Sequence, residues 1–390
     1  MKIGVFSDAD IPSLLAHSFS VMKTAQGLAA LGHQTRVVTA NSLRAARNRW
    51  RFRDLGAHYG IRQRLDITWL PPSLGAWFRG NTQNDPLFAQ RAAELASQEG
   101  LGLVYARSYL TPVLTARAGI PTVVETHTTN YDNPHLAAIH AVACLPAFRG
   151  LITIHADIAA QHARRGVPAE KILVLEDGVD LERFLVADDP QPWRRQLGLD
   201  PDKHYAVYAG HLYADKGIEV ILEAARLLAG RQDLGFLLVG GFPEDLRRWR
   251  QWCRQRGVGN VAFTGFMPNA ALPGYLKAAT CLLLPYQPER AHTVMDIHTT
   301  SPLKLFEYMA ARRPIVATAV PTVAKVLKAG HSGLLVPPGD LEAFAQAIER
   351  AIDDAALAQL LAHNAWREVQ PFSWTQRCRR ILDLALGGLV

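Results

Sequence analysis

Short apolar runs alternate with longer segments of helical periodicity along the whole chain. Each run has the length of a buried strand, and several are almost continuously apolar, as strands of parallel sheets covered by helices are. The predicted strands of the first half are Lys2–Phe6, Thr35–Thr39, Leu103–Tyr105, Thr122–Glu125, Leu151–Ile154 and Ile172–Leu175. Those of the second half are Tyr205–Ala209, Phe236–Val239, Val261–Phe263, Cys281–Leu284, Ile315–Ala317 and Leu334–Val336.

The alternation breaks once, near residue 180, and then resumes. The polar, proline-rich stretch 188–192 predicts a linker at this break. The simplest architecture is therefore α/β, with two doubly wound halves and a cleft between them. In such sheets ligands bind beyond the carboxyl ends of the strands.

Composition narrows the class of protein. The chain has 390 residues, of which 49% are hydrophobic and 20% charged, so it suits two folded domains and excludes disorder. The net charge of +7 is compatible with nucleic acid, an anionic membrane surface or a phosphorylated substrate. The four cysteines, Cys144, Cys253, Cys281 and Cys378, lack metal-ligand spacing, which predicts reduced thiols without a disulfide or zinc site.

No apolar stretch is long enough for a spanning helix, and the apolar run at the start is too short for a signal peptide. We therefore expect a cytoplasmic protein whose membrane contact, if any, is peripheral. The segment after the first strand, residues 7–17, also lacks a Gly-x-Gly-x-x-Gly fingerprint. This disfavours a nicotinamide-dependent dehydrogenase.

The segment Ser301–Ala310 predicts a helix that begins with a good N-cap and a proline at its first position. Leu303, Phe306 and Ala310 form an apolar stripe, while Lys304 and Glu307 share another face. The free amides and positive end of the dipole favour a phosphate, and Glu307 could accept two hydroxyls of an adjacent ribose. The alternative is an ordinary amphipathic helix with a Lys304–Glu307 ion pair.

Lys216 follows another strand of the second half and stands beside the start of the next helix. A cation at this position can neutralise a leaving diphosphate, although a lysine in a turn can also be merely solvated. Gly240 and Gly241, after the next strand, would let backbone approach a nucleotide, and a tight turn explains them equally well.

In the first half, His127 lies two residues after Glu125, at the end of a predicted strand. It could hydrogen-bond a sugar hydroxyl or a phosphate, or act as an acid or base. The alternative is a buried structural histidine. His17 and His155 are further candidates.

An arginine-rich segment lies between the second and third predicted strands. Its arginines are Arg44, Arg47, Arg49, Arg51, Arg53, Arg62 and Arg64, interleaved with aromatic residues such as Trp50 and Phe52. This pattern suits a phosphate-bearing acceptor or the headgroups of an anionic membrane, and a solvated charged face is the alternative. Nucleic acid is disfavoured because no common reading motif is present.

These motifs together resemble glycosyltransferase family 4 in their order and spacing. The matching stretches are 32–33, 125–127, 176–184, 209–217, 263–265, 301–310, 333–340 and 372–374. The resemblance covers nearly the whole chain, and the motifs of the second half are the more specific ones.

The resemblance implies a GT-B fold of two Rossmann-like domains. Residues 1–185 with 373–390 would form the acceptor-side domain, and residues 186–372 the nucleotide-sugar domain. The implied activity is transfer of a sugar, with retention, from a UDP- or GDP-sugar to a glycan or lipid-linked acceptor. No metal or other cofactor is implied, since a lysine and the helix dipole supply the positive charge.

Residue roles also follow from the resemblance. Lys216 would contact the diphosphate, Glu307 the ribose, and His127 would lie near the donor sugar, which makes these three the predicted catalytic residues. The predicted donor-binding residues are His211, Gly240, Gly265, Phe266, Met267, Thr299, Ser301, Pro302, Leu303, Lys304 and Leu305, with the base near 265–267. The arginine-rich segment would serve the acceptor or a membrane through Arg44, Arg47, Arg49, Arg51 and Arg53.

The chain departs from the family pattern at three places. His211 occupies the position of an arginine, which predicts a weaker or pH-dependent grip on the diphosphate. Thr299 stands where the first of two paired glutamates is expected, so Asp296 or His298 could substitute for it, or the sugar could differ. The loop 7–17 lacks the usual paired glycines, which leaves the donor or acceptor at that edge open.

Two alternatives to a transferase remain. Nucleotide-sugar 2-epimerases share this architecture and need no acceptor. A non-catalytic partner subunit with the same fold would also be compatible with His211 and Thr299.

Overall fold

The computed structural model describes residues 1–128, 130, 132–287 and 303–387. The chain divides into two compact units, residues 1–177 with 374–390 and residues 178–373. The first boundary thus falls at Asp177 rather than at the predicted residue 185. The segment after it belongs to the second unit because Val179 pairs with Ser373 and Phe184 is buried in the core of that unit.

The first unit is built on a seven-stranded parallel sheet in the described part of the chain. Its strands are β1 (Lys2–Ser7), β2 (Gln34–Ala40), β3 (Asp66–Leu70), β4 (Leu103–Arg107), β5 (Thr122–Glu125), β6 (Phe148–Thr153) and β7 (Ile172–Val174). Their order is β3-β2-β1-β4-β5-β6-β7. The direction of winding therefore reverses between β1 and β4.

Strand β3 was missed by the sequence prediction. It lies at the edge of the sheet and pairs only with β2, in register from Asp66 opposite Arg36 to Leu70 opposite Ala40. Its residues are half-buried or exposed, so it lacks the continuous apolar character of the inner strands. An edge strand directly after an arginine-rich segment carries little of the signal on which the other predictions rest.

Helices cover both faces of this first sheet. They are α1 (Ala16–Ala30), α2 (Leu43–Arg51), α3 (Leu55–Tyr59), α4 (Leu74–Arg79), α5 (Pro86–Gln98), α6 (Leu110–Arg117), α7 (Pro134–Val142) and α8 (Ala156–Arg164). Side-chain caps fix several of their starts. Ser42, for example, accepts the amide of Ala45 at the start of α2.

The second unit contains a six-stranded parallel sheet in its described residues. Its strands are β8 (His204–Ala209), β9 (Leu234–Val239), β10 (Val261–Gly265), β11 (Cys281–Leu284), β12 (Ile315–Thr318) and β13 (Leu334–Val336). The order is β10-β9-β8-β11-β12-β13, so the winding reverses between β8 and β11. The carboxyl ends of these two strands form the place where such sheets bind ligands.

Both faces of the second sheet are buried. In β8, Ala206 and Tyr208 pack into one apolar cluster, while Val207 and Ala209 pack into the other. The covering helices are α9 (Pro190–Gln196), α10 (Ile218–Leu227), α11 (Pro243–Arg256), α12 (Leu272–Ala278), α13 (Leu303–Ala310), α14 (Pro321–Ala324), α15 (Leu341–Asp353) and α16 (Ala355–Val369).

The stretch 188–192, predicted as a linker, is part of the second unit instead. Asp189 caps helix α9, whose first residue is Pro190. Asp188 pairs with Lys277 and lies 3.1 Å from a guanidinium nitrogen of Arg312. Prolines at the start of a helix and acidic caps resemble a linker in composition, which explains the wrong prediction.

The last helix, α17 (Trp374–Leu386), returns to the first unit and packs on α1. The contact is close because Gly27 of α1 has no side chain. A Cβ there would lie 2.7 Å from the sulfur of Cys378 and 3.0 Å from the carbonyl oxygen of Trp374. The described helices include none that is both long and apolar enough to cross a bilayer.

Candidate active site

Lys216 lies at the carboxyl edge of the second sheet, in a short 3-10 turn between β8 and α10. Its ammonium is 2.7 Å from a carboxylate oxygen of Asp215 and 5.5 Å from the ring centroid of Tyr286. The next residue, Gly217, has φ +75°, and a Cβ on it would lie 1.6 Å from the carbonyl oxygen of Pro285. Only glycine fits here, so the turn that carries Lys216 is tightly fixed against the end of β11.

Lys304 occupies the first turn of α13, beside the same strand ends. Its Nζ donates a hydrogen bond to the hydroxyl of Tyr208 over 2.6 Å and lies 4.4 Å from the centroid of that ring. It also lies 6.0 Å from the centroid of Tyr286. The structure gives Lys304 no ion pair with a carboxylate of the described residues, so the alternative of a Lys304–Glu307 pair is not observed.

The positions of the two lysines make their charges interact. Burial, together with the charge of Lys216, lowers the pKa of Lys304 to about 7, against the opposing effects of Asp215 and Glu307. A substantial fraction of Lys304 is therefore neutral at physiological pH. An anion bound between the lysines would favour its charged form.

His211 does not supply the charge of the arginine that it replaces. Its ring stacks on Tyr213, with centroids 5.0 Å apart and planes at 2°, and also on Phe242 at 5.4 Å. Burial, with the charges of Lys304 and Lys216, lowers its pKa to about 4. The imidazole is accordingly neutral at physiological pH, and the departure seen in the sequence is a real loss of positive charge at position 211.

Aromatic side chains pack against the two lysines, and the sequence prediction missed these aromatic residues. Tyr208 and Tyr308 are almost fully buried, and the hydroxyl of Tyr308 accepts the amide of Ala209 over 2.7 Å. Tyr286, two residues beyond β11, contacts both lysines. The sequence signal that could have identified them is their position, since Tyr208 lies at the end of one strand and Tyr286 just after the end of another.

The other predicted donor-binding residues fall into two groups. Gly240 and Gly265 form the backbone at the ends of β9 and β10, joined by a hydrogen bond from the amide of Gly240 to the carbonyl of Gly265 over 3.0 Å. Phe266 is 40% exposed beside them, whereas Met267 packs against the core. In α13, Leu303 and Glu307 are half-buried.

Helix α13 is buried more completely than its predicted stripe of three residues suggests. Leu305 is fully buried, as are Phe306 and Met309, so Leu305 can offer a ligand only its backbone. The predictions for Thr299, Ser301 and Pro302 lie outside the described residues, together with those for Asp296 and His298.

In the first unit, Glu125 at the end of β5 is the centre of a buried charge cluster. Arg377 of α17 lies 2.7 Å from it and Arg107 of β4 lies 3.6 Å away, while Tyr105 donates a hydrogen bond to it. Burial alone would raise the pKa of Glu125, but Arg377 and Arg107 hold that pKa well below its usual range. The carboxylate is ionised and fully compensated.

His127 is held by the same cluster. Its Nε2 is 2.7 Å from a carboxylate oxygen of Glu125, and its Nδ1 is 3.2 Å from a guanidinium nitrogen of Arg107. These partners require Nε2 to carry the proton and Nδ1 to accept. Burial and Arg107 lower the pKa of His127 despite Glu125. The ring is therefore neutral, and both of its nitrogens have protein partners.

A cavity of about 90 Å³ lies beside His127 at the carboxyl edge of the first sheet. Asp8, Asn84 and Ser108 line it, and the side-chain oxygens Oδ1 of Asn84 and Oγ of Ser108 are buried and have no hydrogen-bond partner among the described residues. Burial raises the pKa of Asp8 to about 7, although the amide of Asn84 donates to it over 3.0 Å. The sequence analysis missed this polar cavity, although Asp8 directly follows β1.

The arginine-rich segment spans α2, α3 and the turns that lead to β3. The side chain of Arg49 is held in place, since its guanidinium donates a hydrogen bond to the Asn41 side chain over 2.8 Å and lies 4.8 Å from the ring centroid of Trp69. Arg44 pairs with the buried carboxylate of Asp10. Arg47, Arg51 and Arg53 are exposed, and the guanidinium groups of Arg51 and Arg53 lie 5.1 Å and 5.6 Å from the ring centroids of Phe52 and Trp50.

Helix α4 packs beside α2 and adds apolar groups to this surface. Leu74 and Phe78, one turn apart on α4, are 78% and 68% exposed, and Trp50 of α2 is 74% exposed. Large apolar side chains among arginines are typical of an interaction surface.

Two family models match the chain. "Glycosyltransferase Family 4" matches residues 18–183, and "Glycosyl transferases group 1" matches residues 203–354. Alpha-D-kanosaminyltransferase from Streptomyces kanamyceticus is 30% identical over 278 residues, which are 65% of this chain and 67% of that protein. The chain belongs to glycosyltransferase family 4.

A second relative of this family 4 protein aligns over a shorter stretch. D-inositol 3-phosphate glycosyltransferase 1 from Catenulispora acidiphila is 30% identical over 227 residues, 56% of this chain. The alignment spans only about half, 52%, of that relative's length. The alignments therefore support membership of the family. The substrates in the names of these relatives are properties of those proteins.

Solved structures match the fold over the full length of the chain. HepE from Anabaena, in complex with UDP and glucose, has a TM-score of 0.71 at 18% identity and covers 100% of both chains. Sucrose-phosphate synthase from Thermosynechococcus elongatus also has a TM-score of 0.71, at 20% identity, covering 99% of this chain and 98% of that one. The predicted GT-B fold of two Rossmann-like units is confirmed.

The Glu125 cluster yields a stability prediction. Arg377→Met leaves a buried carboxylate without its nearest cation, which should destabilise the first unit by about 3–5 kcal/mol. Thermal unfolding of the full chain measures this as a lower melting temperature. Adding Glu125→Gln should restore part of the loss, whereas Arg380→Met, at an exposed position of the same helix, should change little. An Arg377→Met protein as stable as the Arg380→Met control would contradict this account.

Proposed function

We propose that the protein is a retaining glycosyltransferase that moves a sugar from a UDP- or GDP-sugar to a hydroxyl of a glycan or lipid-linked acceptor. The observation that carries the proposal is the pair of lysines at the reversal point of the second sheet. Lys216 precedes α10 and Lys304 lies in the first turn of α13, and their ammonium groups lie 5.5 Å and 6.0 Å from the ring centroid of Tyr286, just beyond β11. This combination suits a diphosphate.

In the proposed reaction the bond between the anomeric carbon and the diphosphate oxygen breaks. The acceptor hydroxyl oxygen forms the new bond from the same face, and its proton passes to the departing phosphate. The diphosphate gains negative charge as it leaves, so fixed positive groups stabilise the transition state more than the ground state. Lys216 supplies that charge, and Glu307 on α13 binds the ribose.

His127 serves this reaction best as a neutral contact for the donor sugar. Its two nitrogens already have partners in Glu125 and Arg107, so it is poorly suited to accept the acceptor's proton. Because an oxygen of the leaving phosphate accepts the proton of the acceptor hydroxyl, the reaction needs no histidine base. The histidine, glutamate and arginine then keep one edge of the first unit rigid.

The cavity at Asp8 is our candidate for the acceptor. Its free oxygens on Asn84 and Ser108 suit hydroxyl or amino hydrogens, and the Asp8 carboxyl adds another acceptor. The polar lining favours a hydroxylated group over an apolar one.

The named relatives guide the choice of donor. HepE was solved with UDP and also with UDP-glucose, which makes UDP-sugars the first donors to test. The kanosaminyl and inositol phosphate transferases add an amino sugar and a phosphorylated acceptor to the compounds worth including.

Lys216→Ala should reduce turnover of the donor by about a hundredfold to a thousandfold, because one fixed charge on the leaving group is lost. Release of nucleoside diphosphate from a panel of UDP- and GDP-sugars measures it. Lys203→Ala, at an exposed lysine of the same unit, is the matched control. Equal activity in the two variants would contradict the proposed role of Lys216.

The same assay separates the alternatives. A 2-epimerase would release an epimerised sugar without any acceptor, and a non-catalytic subunit would release no nucleotide from any donor. A transferase should release nucleotide faster when a suitable acceptor is added.

The surface of α2 and α4 is our candidate for contact with an anionic membrane. The arginines Arg47, Arg51 and Arg53 match anionic headgroups, and Trp50, Leu74 and Phe78 match the interface below them. Such a surface would bring the protein to a lipid-linked acceptor.

The double variant Leu74→Gln/Phe78→Gln should bind vesicles containing anionic lipid at least about tenfold more weakly, since each buried apolar side chain contributes about 1.5–3 kcal/mol. Co-sedimentation measures the binding. Leu360→Gln, at a 52% exposed leucine of α16, is the control. Wild-type protein that does not bind these vesicles, or a double variant that binds like the control, would refute membrane contact here.

A further inference from the structure

We propose that Lys304 supplies the second positive charge that holds the donor diphosphate, in place of residue 211, and that it takes up a proton from solvent when the diphosphate binds. This inference rests on the proposed function. It adds the uptake of a proton at Lys304 to that function, and calorimetry with matched variants lets the two fail separately.

The first argument is the position of the ammonium. Lys304 Nζ is held by the hydroxyl of Tyr208 at 2.6 Å and faces the rings of Tyr208 and Tyr286. Lys216 Nζ faces the ring of Tyr286 as well, at 5.5 Å. The two ammonium groups therefore approach one aromatic ring, and a dianionic group between them would contact both.

The second argument is the space left for the side chain. Gly210 has φ +139°, and a Cβ on it would lie 2.3 Å from Cε and 2.4 Å from Nζ of Lys304. The absence of a side chain at residue 210 is thus what lets the lysine cross over the end of β8. The ammonium comes to lie next to His211, the residue from which a charge is missing.

The third argument is the balance of charge. Lys216 has a carboxylate partner in Asp215 at 2.7 Å, whereas Lys304 has a phenol instead. A phenol can accept from a neutral amine or donate to it, so this environment tolerates both forms of the lysine. A bound anion would favour the charged form.

The titratable and charged groups that face Lys304 from the described residues fit this assignment. Asp215 and Glu307 favour its charged form, and Lys216 opposes it. Burial raises the pKa values of Tyr208 and Tyr286 well above their usual range, and it lowers the pKa of His211 to about 4. The protonation states of these three groups are therefore fixed near pH 8, whereas that of Lys304, with a pKa of about 7, is not.

The sign of the effect follows from linkage. At pH 8 about 0.9 of the Lys304 side chains are neutral in the free protein, given a pKa of about 7. A bound diphosphate raises that pKa, so close to one proton is taken up for each nucleotide bound. The affinity should accordingly fall about eightfold for each pH unit near pH 8.

The experiment is calorimetric titration of the full chain with UDP, GDP and ADP at pH 8, in two buffers of different ionisation enthalpy. The difference between the observed enthalpies gives the number of protons exchanged on binding. Phosphate groups with a second pKa of about 6 are already ionised at pH 8, so the nucleotide itself takes up no proton.

Three variants assign the proton. Lys304→Arg keeps a permanent charge, so it should bind the same nucleotide with no proton uptake and with an affinity independent of pH around 8. Lys304→Met keeps much of the volume without charge and should bind at least about tenfold more weakly, also without proton uptake. His211→Gln should retain the wild-type proton uptake.

The outcomes separate the claims. Uptake near one proton in the wild type that disappears in Lys304→Arg supports the inference. Nucleotide binding without proton uptake, or uptake that persists in Lys304→Arg, overturns the inference and leaves the proposed function standing. Failure of all three nucleotides to bind the wild type overturns both.

Discussion

The central constraint on this structure is a positive charge at the carboxyl edge of the second sheet that the carboxylates of the described residues only partly balance. Lys216 has Asp215 as a partner, while Lys304 rests on tyrosine rings and has a lowered pKa. Concentrating like charges in a partly buried place is unfavourable for the free protein, and a bound anion relieves it. Gly210 and Gly217 are required because the turns that bring the lysines there leave no room for a Cβ.

The first unit also contains a buried charge, but there other groups of the protein balance it. Its buried Glu125 receives two arginines, a tyrosine and a histidine, so the charge is fully compensated within the protein. One of those arginines, Arg377, comes from α17, and the cluster thereby also anchors the last helix to the first unit. The difference explains why we assign the charged ligand to the second unit and a neutral, hydroxylated one to the cavity at Asp8.

Local patterns made much of the fold and part of the site predictable. Buried parallel strands are continuous apolar runs, and a lysine between a strand and a helix is placed by the chain itself, as Lys216 shows. The edge strand β3 and the helix start at Pro190 were missed because their composition resembles that of a loop. Contacts between distant residues, such as Arg377 with Glu125 and Lys304 with Tyr208, could not be derived, since they depend on how separate elements pack.

The most direct measurement is a crystal structure of the protein with the nucleoside diphosphate that it binds. Our account predicts that oxygens of the diphosphate lie within hydrogen-bond distance of Nζ of both Lys216 and Lys304, at the ends of β8 and β11. A diphosphate bound at the arginines of α2, or in the second unit without contact to either lysine, would contradict it.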